Sequence, residues 1–133
     1  MGRRLSERVQ MARQALGPLR ELVGRPKVTA IERGAAIQRF EYSFETAWKA
    51  AQLWLREEAG LDYGSPKEVV RGSFAARLLD ENDSEGALGM ADDRNLTVHT
   101  YDEALARVIF GRLEGHADLL GRWVEAVASR IHA

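Results

Sequence analysis

The chain has 133 residues, 45% of them hydrophobic and 29% charged, which predicts one folded domain covering residues 1–133. It contains no cysteine, so disulfides, thiolate metal sites and thiol catalysis are excluded, and a cytoplasmic location is expected. The sequence has neither a secretory signal core nor an apolar run of membrane-spanning length, so no membrane association is expected. The net charge of −1 is uneven, with basic residues concentrated in the first 27 positions and acidic residues in 57–103. The basic segment suits a solvated helix face better than phosphate contacts, and the acidic stretch suits docking of a basic partner.

Hydrophobic periodicity predicts two long helices in the first half of the chain. The first is amphipathic, should be bent or interrupted at Pro18, and is closed by residues 24–26. The second runs from near Thr29 to Ala59, where Gly60 is a natural stop. Its predicted apolar stripe consists of Ile31, Ala35, Phe40, Phe44, Trp48, Ala51 and Leu55, widened by Ala47 and Trp54.

Three further helices are predicted in the second half. Ser65 can cap a third helix, with Pro66 at its first position and Glu68 completing a capping box. This helix should bury Val69, Val70, Phe74 and Leu78 and end at the polar turn 80–83. A fourth helix is expected to carry residues 94–101 and continue through Leu113, and Gly115 is expected to separate it from the last helix.

Residues 94–101 concentrate the polar chemistry of the chain. Arg94 can hold a phosphate bidentately, His99 can move protons near neutral pH, and Asn95 and Tyr101 add an amide and a phenol. The segment is rich in β-branched residues and in isolation resembles a strand, but helical patterns flank it, so it is predicted as helix. On one straight helix Arg94 and His99 would diverge by about 140°. That angle favours a composite site shared by two chains of a homodimer.

Simpler explanations exist for several of these residues. His99 could be a helix histidine bonded to a neighbouring polar side chain, and Tyr101 could be a core or interface aromatic. His116 and His132 lack companion ligands, so no metal site is predicted, and no cofactor-binding motif is present. The tryptophans are assigned to the core: Trp48, Trp54 and Trp123.

Three segments occur in an order that is typical of one family: 39–49 (RFEYSFETAWK), 65–71 (SPKEVVR) and 93–101 (DRNLTVHTY). Across roughly residues 5–130 the chain resembles the nucleotidyltransferase substrate-binding proteins, the HepT-like branch of the HEPN superfamily. The resemblance implies an all-α fold, an antiparallel four-helix up-and-down bundle with an additional helix. It also implies a homodimer and a partner, an MNT-type nucleotidyltransferase encoded nearby. The sequence departs from the family's usual pattern at 71–74 and 86–90, where glycines appear.

The resemblance also implies residue roles, because Arg94, His99 and Tyr101 match the Arg-x4-His-x-Tyr motif of HepT-like toxins. Those proteins are metal-independent endoribonucleases that the partner neutralises by adenylylation of the tyrosine. Carried over, Arg94 would stabilise phosphate charge, His99 would be the general acid/base on RNA, and Asn95 would support them. Tyr101 would be the modified residue. The alternatives are a non-catalytic substrate-binding subunit of a two-component nucleotidyltransferase and a dimeric scaffold.

Overall fold

The computed structural model describes residues 2–131, and within that range it contains five α-helices and no strand. The helices are α1 (Gly2–Leu22), α2 (Ala30–Ala59), α3 (Pro66–Ala75), α4 (Glu81–Leu96) and α5 (Glu103–Ala128), with a 3-10 turn at Thr97–His99. The all-α bundle with an additional short helix is confirmed. None of the helices in 2–131 is both long and apolar enough to cross a bilayer. His132 lies outside the described residues.

The central unit of the fold is the packing of α1, α2 and α5 against one another. Their buried side chains include all three tryptophans, as predicted from the sequence. The helix α1 continues through Pro18, and the Arg39 guanidinium on α2 donates a hydrogen bond of 2.7 Å to the Pro18 carbonyl. The buried Ser43 hydroxyl of α2 donates to the Ala15 carbonyl at 3.1 Å. Side chains of α2 thus bind two carbonyl groups in the turn of α1 that ends at Pro18.

The ends of α2 are specified by local chemistry. Thr29 caps the first turn in a capping box with Glu32, and Gly60 ends the helix in the left-handed conformation at φ 68°. One stripe residue was predicted wrongly, because Ile31 is 86% exposed. Ile31 lies about 180° around the helix axis from the fully buried Phe40, so it faces solvent.

The basic face of α1 is paired with acidic residues on α5. The Arg13 guanidinium donates two hydrogen bonds to the Glu125 carboxylate, at 2.6 and 2.7 Å, and Arg20 donates to Asp118 at 3.1 Å. The hydrogen bonds from Arg13 lower the pKa of Glu125 below its ordinary value. Part of the basic segment therefore forms ion pairs between α1 and α5. The sequence had suggested either a solvated helix face or phosphate contacts, and neither interpretation included these pairs.

The helix α3 starts where it was predicted to start, but the set of residues that it buries differs from the prediction. Ser65 accepts a hydrogen bond from the Glu68 backbone, but the Glu68 carboxylate is bound by the Ser65 hydroxyl instead of the backbone N–H of a capping box. Val69 and Val70 are buried, as predicted, whereas Phe74 is exposed. It lies about 120° around the helix from the middle of the buried face, which consists of Val69, Val70, Gly72 and Ser73. A Cβ on the buried Gly72 would lie 2.5 Å from Tyr63 Cε2, so glycine permits the approach of α3 to the 60–65 connection.

The predicted polar turn at 80–83 is instead the start of α4. Asp80 caps the helix by accepting a hydrogen bond from the Asp83 backbone at 2.7 Å, and acidic residues in a first turn are favoured by the helix dipole. The predicted separation at Gly115 is also wrong, since α5 continues through it. Leu113 and Ala117 are buried on either side, and their packing outweighs the cost of about 1 kcal/mol for one helical glycine.

The C-terminal end of α5 reaches back to the connection between α3 and α4. Arg130 donates hydrogen bonds to the carbonyls of Ala76 and Arg77 at 2.8 and 2.9 Å. Its guanidinium also lies 5.5 Å from the centre of the Trp54 ring. Arg77 has a positive φ of 64°, so this connection is a sharp, strained corner that Arg130 holds from outside.

Candidate functional site

The polar segment 94–101 lies where α4 ends and α5 begins, so the prediction of one continuous fourth helix is wrong. The α-helix stops at Leu96, and Thr97–His99 forms a 3-10 turn. The β-branched residues Thr97, Val98 and Thr100 lose side-chain freedom in a helix, and at Val98, which is exposed, no tertiary packing compensates for that loss. The angle of about 140° between Arg94 and His99 assumed a straight helix and therefore does not describe this site.

Side-chain hydrogen bonds give the turn its shape. The buried Thr97 hydroxyl donates to the Arg94 carbonyl at 2.7 Å, which closes the last turn of α4. The Thr100 hydroxyl donates to the Thr97 carbonyl at 2.9 Å. Asp102 then starts α5, because its carboxylate accepts hydrogen bonds from the backbone of Ala104 and Leu105 at 3.0 and 3.2 Å. These local bonds compete with helix formation and fix His99 and Tyr101 on a short, defined connection.

Arg94 is held on the inner side of this connection. Its Nη1 lies 3.7 Å from Glu41 Oε2 on α2 and donates a 3.4 Å hydrogen bond to the Thr97 hydroxyl. Its Nε is buried and has no hydrogen-bond partner among the described residues. A buried donor without a partner costs about 1–3 kcal/mol, and the Glu41 contact is too long for a hydrogen bond. The contacts of Arg94 therefore leave its guanidinium incompletely satisfied.

His99 and Tyr101 lie side by side on the outer face of the turn. The Tyr101 hydroxyl is 3.5 Å from His99 Nδ1, and the two rings meet edge to face with centroids 6.0 Å apart. Both residues are exposed, and Tyr101 is 84% accessible. The partners expected for a helix histidine, Asn95, Asp102 or Glu103, are not the ones found, and Tyr101 is not a core aromatic. The structure instead brings together a titratable imidazole and an accessible phenol.

Asn95 is exposed and borders an open cavity of about 340 Å³ together with Arg94. The cavity lies between α2, the beginning of α3 and the end of α4, and Lys67 contributes a second cation to its wall. Lys67 is paired with Asp92 at 2.5 Å. Among the described residues no hydrogen bond or ion pair joins Arg94 to His99. The turn therefore has two faces, one presenting Arg94 and Asn95 and the other presenting His99 and Tyr101.

A buried carboxylate next to Arg94 was missed by the sequence analysis. The side chain of Asp93 is 5% exposed and binds Arg112 Nη1 and His116 Nε2, each at 2.7 Å. His116 also stacks on Phe40 with ring centroids 5.3 Å apart. These contacts fix the end of α4 to α5 and α2. In the sequence Asp93 is one acid of an acidic run, and the only signal was its three-residue spacing from Met90, which places the two residues about 60° apart on α4.

Comparison with known proteins agrees with this architecture. A sequence model of the family described as nucleotidyltransferase substrate binding protein like matches residues 7–129. No protein of curated function matches the sequence significantly. The crystal structure of a protein from Thermus thermophilus is similar at 50% identity, covering 92% of this chain and 100% of that one, with a TM-score of 0.83.

Two more distant structures, each 12% identical to this chain, share the fold. One is a toxin–antitoxin with AMP-PNP, with a TM-score of 0.77 over 92% of this chain and 96% of the other. The second is a tri-AMPylated HEPN toxin of Shewanella oneidensis in complex with an MNT antitoxin, with a TM-score of 0.79 over 95% of this chain and 97% of the other.

Proposed function

This chain belongs to the nucleotidyltransferase substrate binding protein-like family, and from that premise we propose that it is the HEPN toxin of a two-gene HEPN/MNT toxin–antitoxin module. In this proposal the protein is a metal-independent endoribonuclease, and an MNT-type nucleotidyltransferase neutralises it by adenylylating Tyr101. The observation that carries the proposal is the pairing of His99 with the exposed Tyr101 on a turn that directly follows Arg94. The fold shared with a tri-AMPylated HEPN toxin supports it.

The residue types fit RNA cleavage. An RNA 2′-hydroxyl attacks the adjacent phosphorus as a base accepts its proton. The bond from phosphorus to the 5′ oxygen breaks, and this oxygen leaves with the electron pair and takes up a proton. The exposed His99 imidazole can serve as an acid/base group in this reaction. The charge that accumulates on the phosphate needs a cation, and the Arg94 guanidinium, whose side chain is 32% exposed, can supply it through its terminal nitrogens. Asn95 borders the same cavity as Arg94 and would contact the bound strand.

We propose that the two faces of the turn work together across a homodimer. Within one chain Arg94 contacts Glu41 and Thr97 while His99 contacts Tyr101. A two-fold axis that packs this turn against its copy would bring the Arg94 face of one chain opposite the His99 face of the other. Exposed apolar side chains around the turn, Leu96, Val98 and Val108, support contact with a second protein surface.

Adenylylation of Tyr101 would silence such a site for a physical reason. The AMP group adds bulk and a phosphodiester negative charge beside His99, so it occupies the space of the substrate and attracts the Arg94 cation. The accessible Tyr101 hydroxyl can enter the active site of a partner without unfolding of the turn.

The test combines toxicity with cleavage. Expression of the chain alone should arrest growth, and the purified protein should cleave RNA in the presence of a metal chelator. His99→Ala and Arg94→Lys should each lower cleavage by about 10²-fold or more, the latter because lysine keeps the charge but loses the planar fork. Ile31→Ala, an exposed change in the first turn of α2 that belongs to neither face of the site, is the control. Intact RNA with the unmodified wild-type dimer would refute the nuclease assignment.

The second candidate function is a non-catalytic substrate-binding subunit of a two-component nucleotidyltransferase. The position of Arg94 favours this function. Arg94 Nη1 lies 3.7 Å from Glu41 Oε2, so a carboxylate lies beside the guanidinium, where a nuclease would need to bind a phosphate. Glu41→Gln distinguishes the two functions. It should raise RNA affinity and cleavage several-fold if Arg94 must leave Glu41 to act, and leave RNA uncleaved if the subunit only binds its partner.

A further inference from the structure

We infer that His99 is also the proton acceptor that activates the Tyr101 hydroxyl for nucleotidyl transfer, so that one imidazole serves both the reaction and the modification that silences it. The inference rests on the proposed adenylylation of Tyr101. It assigns to this chain, and not to the partner enzyme, the base that prepares the acceptor nucleophile. The juxtaposition behind it is the 3.5 Å separation between Tyr101 Oη and His99 Nδ1.

A base is needed because tyrosine side chains are largely protonated at neutral pH and the neutral phenol is a weak nucleophile. In the proposed step the Tyr101 oxygen attacks the α-phosphorus of a nucleoside triphosphate held by the partner. A bond forms between this oxygen and phosphorus, the bond from phosphorus to the bridging oxygen breaks, and pyrophosphate leaves with the electron pair. The phenolic proton moves to His99 Nδ1 and then to solvent.

The neighbouring carboxylates are engaged elsewhere. Asp102 is the nearest acid in sequence, but its carboxylate accepts the two backbone N–H groups that start α5. The Glu103 carboxylate is bound by Arg107 at 2.7 Å. If Asp102 acted as the base, these two hydrogen bonds would be lost, and the loss of such a helix cap typically destabilises a protein by about 1 kcal/mol. His99 is therefore the basic group that the turn leaves available to the Tyr101 hydroxyl.

The proposed proton transfer requires one tautomer of the imidazole. To accept the phenolic proton, Nδ1 must be unprotonated, so Nε2 carries the ring proton in the neutral side chain. The 3.5 Å separation is longer than the roughly 2.7–2.8 Å of a good O–H hydrogen bond, and such contacts tighten in the reacting complex. Because Tyr101 is exposed and lies outside any helix, its ring can close this gap by a small rotation about its side-chain bonds.

The same geometry predicts selectivity among tyrosines. Tyr42 is also exposed, but it lies on the regular helix α2, and no imidazole contacts its hydroxyl among the described residues. If His99 supplies the base, the modification should fall on Tyr101 and leave Tyr42 untouched. Exposure alone would allow both.

The experiment measures the rate of Tyr101 adenylylation by intact-mass spectrometry, using the full-length protein, the purified partner nucleotidyltransferase and ATP. His99→Ala should slow the transfer about 100-fold or more, the usual contribution of general base catalysis, while binding to the partner is unchanged. Added imidazole should restore much of the rate to His99→Ala, which a purely structural role of His99 would not allow. His99→Gln, which keeps a polar side chain without a basic nitrogen, should remain slow, and Ile31→Ala, an exposed change outside the site, should react like wild type.

The outcomes separate the inference from the proposal on which it rests. If wild-type Tyr101 acquires AMP and His99→Ala acquires it at a similar rate, a carboxylate of the partner is the base and the inference is wrong. If transfer to His99→Ala is slow and added imidazole does not restore it, the inference is also wrong, because His99 then has only a structural role. If wild-type Tyr101 stays unmodified, the proposed regulation fails together with the inference.

Discussion

Replacing Asp93 by asparagine would remove the charge that fixes the end of α4, one residue before Arg94, while keeping the size of the side chain. The Asp93 carboxylate is almost fully buried and accepts hydrogen bonds from Arg112 and His116, at 2.7 Å each. Asparagine has one acceptor oxygen, so it cannot accept from both donors, and no bond that it makes is to a charged carboxylate. Asp93→Asn therefore weakens the hydrogen bonding of both donors.

The magnitude follows from the burial of the two donors. A hydrogen bond to a charged group contributes about 1.5–3 kcal/mol, whereas an exposed ion pair contributes about 0–1 kcal/mol. The side chain of Arg112 is 53% exposed and can turn to water, so its loss belongs to the smaller class. The side chain of His116 is 14% exposed, so its loss belongs to the larger class. We expect a loss of about 2 kcal/mol, or about 7 °C in Tm for a domain of this size.

The assay is thermal unfolding followed by circular dichroism, with Asp92→Asn as the matched control. Asp92 is adjacent in sequence and paired with Lys67, but its side chain is 62% exposed, so its loss should cost less than about 1 kcal/mol. Amide hydrogen exchange should quicken at the end of α4 in Asp93→Asn and stay unchanged in Asp92→Asn. Equal melting temperatures for the two variants would refute the burial argument.

Other variants test packing and electrostatics. Gly72→Ala should destabilise the protein by about 1–3 kcal/mol, because the added methyl meets the Tyr63 ring. Gly89→Ala, with open space around it, should stabilise α4 by about 0.5–1 kcal/mol. Chemical denaturation measures both changes in unfolding free energy, and changes of the same sign would contradict the packing argument. Arg13 lowers the pKa of Glu125 in the folded protein below its value of about 4.5 in the unfolded chain. The ion pair therefore stabilises the fold at a pH above 4.5, and this stability is lost as the pH falls through the lower pKa of the folded protein. The difference in unfolding free energy between wild type and Glu125→Gln should therefore be at most about 1 kcal/mol at pH 7 and vanish in acid, and a difference that grows in acid would be incompatible with the pair.

The sequence predicted the elements whose ends have their own chemistry. The second helix was expected from near Thr29 to Ala59 and is found at Ala30–Ala59, because a capping threonine and a terminal glycine specify its limits locally. The start of α3 at Pro66 was predicted from the capping residue Ser65 for the same reason. These signals depend only on neighbouring residues, so no knowledge of the tertiary structure was needed.

The sequence analysis failed where side chains choose between local and distant partners. At 97–100 the threonine hydroxyls bond to the backbone and end α4, whereas the flanking periodicity suggested a continuous helix. At Gly115 a helix end was predicted, but α5 continues, because the buried residues on both sides of this glycine stabilise the helix. The role of Asp93 depends on residues 19 and 23 positions later, so only the assembled structure distinguishes it from its exposed neighbour.

Arg130 has a consequence for the order in which the molecule is completed. It hydrogen-bonds to carbonyls 54 and 53 residues earlier, at the corner that joins α3 to α4. During synthesis the bonds from Arg130 to this corner cannot form until residue 130 has left the ribosome, whereas α1 and α2 can already pair. Contacts between such distant positions form late because a long loop must first be closed. The support that Arg130 gives to the corner between α3 and α4 is therefore added after the contacts between α1 and α2.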